Sequence, residues 1–294
     1  KVLKNNFYNL LPTLTKIFML RLLTIEFYKL KHSRSSKVLS IAYFVILSFI
    51  ALIASIEFNL GDFQIRIADQ GIFNFPFIWH FNTWVAATLK FFLAIVIVSM
   101  ISNEYSNKTL KQNLIDGLSK KEFMLSKFYT VIAFAALSTL FIFVMTLILG
   151  YSFSDYTEFS IVTREMEFLL AYFFKLVGFF SFCLFLGVLV KRSAFALGFL
   201  FVWWIFENIL YGILRWQTSA ETADAVIQFF PLESMKNLIN LPFQRLNFIE
   251  TAANQLQADI QIDYAVHWYE VAIVSVWIFL FIYSAYALLK KRDL

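Results

Sequence analysis

Residues that could perform chemistry are few in this chain and lie far apart. The histidines His32, His80 and His267 are scattered, and no His-Glu-x-x-His pair is present to hold zinc. The chain has neither a Gly-x-x-x-x-Gly-Lys-Ser/Thr phosphate loop nor a Gly-x-Ser-x-Gly nucleophile turn. Its one cysteine, Cys183, lies in an apolar run, which favours a buried or lipid-facing side chain. The sequence therefore predicts a chain that is not an enzyme and binds no metal or cofactor itself.

Three ionisable residues, Lys90, Lys175 and Glu207, stand inside long apolar segments. An unpaired Lys or Asp at mid-membrane costs about 2.5–3.5 kcal/mol on insertion scales, so a partner or water is expected beside each. Lys175 lies near the outer third of its segment, where its stem could reach the headgroups. Trp203 and Trp204 stand four and three residues before Glu207, so this helix face is predicted to be aromatic as well as charged.

The composition places these residues in a membrane protein. The chain has 294 residues, of which 60% are hydrophobic and only 15% are charged, and its mean hydropathy is +0.69. A soluble domain would have about a quarter of its residues charged. The net charge of +5 does not indicate nucleic-acid binding, because the basic residues are sorted by loop.

Six apolar segments are long enough to cross about 30 Å of hydrocarbon as helices. They are Val38–Ile56, Phe81–Ile101, Phe128–Gly150, Phe168–Val190, Ala194–Leu214 and Val271–Leu289. The connections on one side carry fifteen Lys and Arg residues, and those on the other side carry five. By the positive-inside rule, both termini are cytoplasmic. The predicted fold is an all-α integral membrane protein with six transmembrane helices.

The N-terminal region divides near Met19. Residues 1–18 are interpreted as an upstream extension or poorly ordered tail, and residues 19–294 as a single domain. Between Leu20 and Leu30, apolar residues recur every three or four positions, and basic residues follow. This pattern predicts an amphipathic helix on the cytoplasmic membrane surface, bound to anionic lipid headgroups. The alternative is the frayed start of the first span.

The polar interval Asn103–Lys127, between the second and third apolar segments, is predicted to form two short helices. The first spans about Lys108–Asp116, and Gly117 is placed to end it. The second begins with a capping box, in which Ser119 and Glu122 each satisfy the other's backbone amide. A helix, a glycine break and a capped helix start make a rigid elbow between two spans.

With this elbow the chain resembles the permease subunit of ABC-2 type ABC transporters. The resemblance covers about Met19 to Leu294 and includes the basic amphipathic start, six spans and the charged end LLKKRDL. The family's elbow has a glutamate, a threonine and a Ser-basic-x-x-Phe pattern, matched here by Glu104, Thr109, Ser119, Lys120 and Phe123. Lys108 stands where the family usually has a glycine.

The resemblance implies a transport subunit, most simply an exporter, of the bacterial cytoplasmic membrane. A separate ATP-binding subunit, which holds ATP and magnesium, would dock on the elbow as a coupling element. The residues expected to contribute to docking are Glu104, Thr109, Lys111, Ser119, Lys120, Lys121, Glu122 and Phe123. A second permease, identical or a sister chain, would complete the pathway. Spans two and five line the pathway in this family, which would bring Lys90 and Glu207 together there as a structural or substrate-contacting pair. Lys175, Trp203 and Trp204 are the other possible pathway residues.

Other interpretations remain open on the sequence alone. The elbow could serve only to anchor the chain to anionic lipid. A secondary transporter driven by an ion gradient would use buried acids, for which Glu207 is the candidate. A membrane-bound enzyme or a signalling anchor is disfavoured, because no catalytic cluster is present.

Overall fold

The architecture is that of a computed structural model, which describes residues 20–60, 63–66, 71–245 and 263–292. The predicted tail, residues 1–18, lies outside the described residues. The first helices are α1 (residues 20–32), α2 (Arg34–Ser55), α3 (Phe77–Thr88), α4 (Phe91–Ser106), α5 (Thr109–Ile115) and α6 (Lys120–Phe153). The later ones are α7 (Phe159–Val162), α8 (Glu167–Val190), α9 (Ser193–Gln217), α10 (Ala220–Ile227), α11 (Pro231–Asn237) and α12 (Trp268–Lys291).

Among the described residues, five segments are long and apolar enough to span a membrane: α2, α6, α7 together with α8 (Phe159–Val190), α9 and α12. The predicted second span is instead a broken pair, in which α3 and α4 meet at an angle of 44°. Counted as one span, the pair gives the six predicted crossings. The predicted fold class is confirmed, with one addition. A short antiparallel hairpin, β1 (Glu57–Leu60) and β2 (Phe63–Arg66), follows α2.

The helix α8 lies at the centre of the bundle, where it contacts α3, α4, α6, α9 and α12. Seventeen of its 24 residues are buried. Two glycines allow its neighbours to approach closely. A Cβ atom at Gly178 would lie 2.9 Å from Val274 on α12, and one at Gly187 would lie 3.2 Å from Ile101 on α4. A helix buried on nearly all sides must be apolar all round, and this explains why α8 has no polar face.

Hydroxyl groups connect the spans inside the apolar core. The Tyr43 hydroxyl on α2 lies 2.6 Å from the Ser138 hydroxyl on α6 and 2.5 Å from the Tyr172 hydroxyl on α8. Ser138 and Tyr172 lie 2.7 Å apart, and all three residues have no exposed surface. Because each hydroxyl can both donate and accept, three of them satisfy one another without water. The triad fixes α2 and α6 against α8.

The helix α9 has the opposite environment from α8. Only Ala196, Leu200 and Glu207 are buried along its 25 residues. Large side chains such as Phe195, Phe201 and Trp204 are more than half exposed. A contiguous apolar surface of this kind suits lipid or another protein chain rather than water.

One end of the bundle is closed by contacts between its connections. The Arg245 guanidinium donates to both carboxylate oxygens of Glu165, at 2.8 and 2.6 Å. It also lies 3.3 Å from Nδ1 of His80. His80 donates from Nε2 to the carbonyl oxygen of Asn240, at 2.8 Å, so Nδ1 is left as an acceptor for Arg245. These contacts fasten the segment after α11 across the ends of α3 and α8.

Candidate functional site

The interval Asn103–Lys127, singled out by the sequence, folds as a rigid elbow at the other end of the bundle. The helix α5 ends in a Schellman motif. The Leu118 amide donates to the Asn113 carbonyl at 3.0 Å, and the Gly117 amide donates to the Leu114 carbonyl at 3.2 Å. Gly117 has φ = +96°, the left-handed conformation that this motif requires and that glycine adopts without strain.

The predicted capping box at the start of α6 is confirmed. The Ser119 hydroxyl accepts from the Glu122 amide at 3.1 Å, and the Glu122 carboxylate accepts from the Ser119 amide at 2.7 Å. The helix that begins here is not short, because α6 continues without interruption for 34 residues through the third span. The second half of the elbow is therefore the first turns of a transmembrane helix.

Beneath the elbow lies an ionic cluster formed by Glu26, Lys29, Glu104 and Lys127. The Lys127 side chain has no exposed surface, and its Nζ lies 2.6 Å from Oε2 of Glu26 and 2.7 Å from Oε1 of Glu104. Lys29 reaches the same Glu104 oxygen from α1 at 2.8 Å. The cluster therefore joins three helices that are separate in sequence: α1, α4 and α6.

The remaining oxygen of Glu104 holds α5. Thr109 donates its hydroxyl hydrogen to Oε2 at 2.6 Å, and the Asn113 side chain donates to the same oxygen at 3.3 Å. Ser126 donates to Glu26 at 3.4 Å. Because a buried charge is costly unless it is paired and hydrogen-bonded, loss of one partner leaves an uncompensated ion and costs about 3–5 kcal/mol. The cluster therefore fixes the geometry of the elbow.

Lys29 is the most exposed member of the cluster, with 35% of its side chain accessible. Partial burial lowers the pKa of Lys29, but the carboxylates of Glu26 and Glu104 outweigh this effect and raise the pKa above its usual value. Lys29 is therefore a cation at physiological pH, and α1 is held to the elbow by charge–charge contact.

A second set of contacts ties the elbow to the C-terminal end of the chain. Lys120 donates to the carbonyl oxygens of Lys290 and Arg292, at 3.3 and 2.8 Å. Arg292 in turn donates to the carbonyl oxygens of Val188 and Leu189, at 2.5 and 3.0 Å. Cations that bind the final carbonyls of helices complement the helix dipoles. This strap, formed by Lys120 and Arg292, connects α6 to the ends of α12 and α8.

The exposed residues of the elbow include one large apolar side chain, three lysines and Asp116. Ile115, the last residue of α5, is 74% exposed. Lys108, Lys111 and Lys121 are also exposed. An exposed apolar side chain in a mainly cationic polar segment has the composition of a contact surface for a protein partner, because the apolar residue gains from burial while the charges remain solvated.

Lys108 introduces local strain into the elbow. It precedes α5 with φ = 56° and ψ = 15°, in the left-handed region that non-glycine residues rarely adopt. This is the position at which the sequence resemblance would have placed a glycine. The geometry explains that preference, because only glycine adopts this conformation without a steric penalty.

The comparison with protein families agrees with this geometry. A model of the family described as "ABC-2 family transporter protein" matches residues 15–294. The chain belongs to the ABC-2 transporter family. Association with an ABC ATP-binding subunit is implied by membership of this permease family. Comparison with curated proteins gives no match.

In this ABC-2 chain the residues predicted for docking divide into two groups. Glu104 and Phe123 are buried, and Thr109 points at Glu104, so these three form the inner framework of the elbow. Ser119 and Glu122 cap α6, and Lys120 belongs to the strap. Of the eight, Lys111 and Lys121 present exposed cations on the outward face.

The structure gives Glu207 and Lys175 a shared role in the ABC-2 chain, at the two ends of α11. The Glu207 carboxylate accepts from the amides of Leu232 and Glu233 at 3.1 and 3.0 Å, in the first turn of that helix. Lys175 donates to the carbonyls of Lys236 and Ile239 at 3.3 and 3.4 Å, at its other end. An anion at a helix N-terminus and a cation at its C-terminus are the arrangement that the helix dipole favours.

The expected Lys90–Glu207 pair does not form within the chain. Glu207 is occupied by α11 and by Trp203, whose indole N–H donates to it at 2.6 Å. The Lys90 ammonium instead lies 4.8 Å from the ring centre of Phe179. The similar depth of Lys90 and Glu207 along their helices was not sufficient to predict a contact between them, because amides of the short helix α11 donate to the Glu207 carboxylate. Trp204 is about half exposed on the outer face of α9.

Several residues of this site were not singled out by sequence reasoning. They are Glu26, Lys29, Lys127, Arg292 and Ile115. Lys127 was counted only as one of the basic residues of the elbow. A charged residue about two turns inside the start of an apolar helix is a usable signal for a buried partner. Ile115 could have been found as an apolar residue facing outward in a polar interval.

Proposed function

We propose that this ABC-2 permease is the membrane-spanning half of an ATP-driven exporter in a bacterial cytoplasmic membrane. A separate ATP-binding subunit, carrying ATP and magnesium, docks on the elbow and supplies the energy. The observation that carries the proposal is the construction of the elbow. It has an exposed apolar and cationic face, and it is joined by a buried ionic cluster to the transmembrane helices.

The proposed contact surface consists of Ile115 with Lys108, Lys111 and Lys121. All four residues are exposed, and they lie on or beside the short helix α5 and the first turn of α6. Ile115 would enter an apolar pocket of the ATP-binding subunit, and the lysines would meet acidic residues around that pocket. Burial of an isoleucine contributes about 1.5–3 kcal/mol, which makes it the expected hot spot of the contact.

Movement of this surface is transmitted along two routes. The first passes from α5 through Thr109 and Asn113 to Glu104 at the end of α4, and through Lys127 to α6. The second passes from Lys120 through Arg292 to the end of α8, the centre of the bundle. Because these contacts are short and buried or half-buried, the elbow and the helices move together as a lever.

A complete pathway requires a second permease, either a copy of this chain or a sister chain. The exposed apolar face of α9 supports such a partner, with bilayer lipid covering the rest of the surface. The amphipathic helix α1 would lie at the cytoplasmic headgroups, where the exposed cations Lys31, Arg34 and Lys37 meet anionic lipid.

The docking surface is tested by co-purification of the permease with its ATP-binding subunit and by the ATP hydrolysis of the complex. Ile115→Asp, and Lys111→Glu combined with Lys121→Glu, should abolish co-purification while membrane insertion stays normal. The matched control is Arg164→Glu, which reverses an exposed charge outside the elbow. Normal co-purification of both elbow variants would refute the proposed surface.

A secondary transporter is less well supported. That interpretation depends on Glu207 as a buried proton- or ion-binding acid. In the structure the carboxylate of Glu207 accepts three hydrogen bonds from Trp203, Leu232 and Glu233, which leaves it a structural partner of α11. Transport by the reconstituted permease without the ATP-binding subunit, driven by an ion gradient alone, would favour this alternative.

A further inference from the structure

The break in the second span places a lysine at the start of a membrane helix. α3 ends at Thr88 and α4 begins at Phe91, with Lys90 as its N-cap residue. α4 has 16 residues, no acidic residue in its first turn and no side chain that caps its amides. At 1.5 Å per residue, Lys90 lies about 20 Å along the helices from both Phe77 and Glu104, near the middle of the broken span.

The Lys90 ammonium has no anionic partner in the part of the chain that the structure describes. Its neighbours are two aromatic rings, Phe179 at 4.8 Å and Phe91 at 5.5 Å from the ring centres. The other deeply placed cations differ. Lys127 has two carboxylate partners, and Lys175 donates to two backbone carbonyls. Lys90 is therefore held in position by ring faces while its charge remains uncompensated.

A second cation strengthens the positive potential at this place. Lys175 lies one helical turn before Phe179 on α8, on the same helix face. Its side chain is buried, and its partners are neutral carbonyl oxygens. Glu207, which the sequence placed at a similar depth in the membrane, already accepts hydrogen bonds from two backbone amides of α11. Two lysine side chains and the N-terminus of α4 thus favour a negative group near the middle of the broken span.

The position is open to the surface of the chain. Thr88 is exposed, Phe91 is 48% exposed, and Lys90 between them is partly exposed. An unpaired ammonium facing only acyl chains at this depth is unfavourable, so water or an anion is expected at this opening. Discontinuous membrane helices in transporters use their N-termini in the same way, to hold anionic substrate groups.

We propose that Lys90 and the N-terminus of α4 form a binding point for a phosphate or carboxylate group on the transported molecule. The substrate of this permease is then an anionic amphiphile or an acidic molecule, and Lys90 holds its charged group midway across the membrane. That the bound molecule is a transported one rests on the proposed function. The binding point itself depends only on the geometry around Lys90.

The test uses the full-length permease in phosphatidylcholine nanodiscs, with decyl phosphate as the probe and decanol as the uncharged control. Wild type and Lys90→Arg should bind decyl phosphate saturably, and Lys90→Met should bind it at least tenfold more weakly. Arg164→Met removes an exposed cation elsewhere and should leave the affinity unchanged. Equal affinity of Lys90→Met and wild type would overturn the proposal.

A measurement on the wild-type chain covers the case in which Lys90→Met does not fold. Decyl phosphate should slow reductive dimethylation of Lys90, read by mass spectrometry, without slowing that of the exposed Lys111. Decanol should slow neither. Absence of protection at Lys90 would overturn the proposal as directly as equal affinity.

Two further arms identify the source of the anionic group and separate this inference from the proposed function. In nanodiscs containing phosphatidylglycerol, retention of one anionic lipid per permease in native mass spectrometry, lost in Lys90→Met, would assign the site to a bilayer lipid and refute the transported source. Stimulation of ATP hydrolysis by decyl phosphate in the complex, lost in Lys90→Met, would support a transported molecule as the source of the anionic group.

If the chain binds decyl phosphate but no ATP-binding subunit co-purifies, the binding point stands and the proposed function fails.

Discussion

The Nζ atom of Lys127 lies 2.7 Å from Oε1 of Glu104, in a pair with almost no exposed surface. Lys127 stands just inside the third span, and Glu104 stands at the end of the second, so this contact closes the elbow from within. The same ammonium bonds Glu26 of α1. One fully buried lysine therefore determines how the surface helix, the second span and the third span meet.

Replacement of Lys127 by methionine should strongly destabilise the permease. The substitution leaves the carboxylates of Glu26 and Glu104 buried near each other with only Lys29 to balance them, and breaking such a pair costs about 3–5 kcal/mol. The free energy of unfolding in mixed micelles, or the yield in membranes, measures the effect. Lys121→Met is the matched control and should change stability by less than about 0.5 kcal/mol, because Lys121 is exposed.

The double variant Lys127→Met/Glu104→Gln should recover part of that loss. Removing one carboxylate relieves the uncompensated charge and leaves Glu26 with Lys29, which lies 3.6 Å from it. If the double variant is as unstable as the sum of the two single variants, the two residues are not coupled and the cluster does not hold the elbow.

Lys108→Gly should stabilise the elbow. The left-handed conformation costs a non-glycine residue about 1–2 kcal/mol, and glycine removes that cost at the expense of some unfolded-state entropy. A net gain of up to about 1 kcal/mol is expected, and Lys108→Val should lose stability, because a β-branched residue tolerates φ = 56° poorly. Unfolding in mixed micelles compares the two variants. A glycine variant less stable than wild type would show that the lysine side chain makes a compensating contact.

Local signals in the sequence were sufficient for the helix caps of the elbow, but not for the break in the second span or for the contacts between elements. The capping box at Ser119 and the glycine stop at Gly117 depend on neighbouring residues, and both form as predicted. The break at Lys90 was not predictable from helix-breaking residues, because neither proline nor glycine stands between Thr88 and Phe91. No periodicity relates Glu26 to Lys127, which are 101 positions apart, so their pairing follows only from the packing of α1 against the bundle.

The strap between Lys120 and Arg292 should be required for coupling and not for insertion. Arg292→Ala removes the donors to the carbonyls of Val188 and Leu189, so the elbow loses its connection to the end of α8. The expected result is normal membrane yield and normal binding of the ATP-binding subunit, with at least a severalfold loss of substrate-stimulated ATP hydrolysis. Lys291→Ala, which removes the exposed neighbouring cation, should behave as wild type. Equal losses in the two variants would mean that charge at the C-terminus, not the strap, is responsible.

The orientation of the bundle can be tested at two exposed positions at opposite ends. In a Cys183→Ser background, Glu158→Cys should react with a membrane-impermeant thiol reagent in intact cells. Lys111→Cys should react only after the membrane is permeabilised, because the sorting of Lys and Arg places the elbow inside. Labelling of Lys111→Cys in intact cells would reverse the orientation and remove the elbow as a docking site.

The clamping of α11 by Glu207 and Lys175 predicts that loss of either charge releases this short helix. Met235 on α11 is 2% exposed, so Met235→Cys in a Cys183→Ser background reports on release. Glu207→Leu should increase its rate of labelling at least severalfold, because two amides of α11 lose their acceptor. Lys175→Met should do the same from the other end, whereas Glu221→Leu, at an exposed acid, should not.

The same assay separates this clamp from a Lys90–Glu207 pair. If Lys90 and Glu207 have separate partners, Lys90→Met leaves the labelling rate of Met235→Cys unchanged. Its effect on the free energy of unfolding then adds to that of Glu207→Leu. An interaction energy between the two substitutions above about 0.5 kcal/mol would show that the two residues act as a pair.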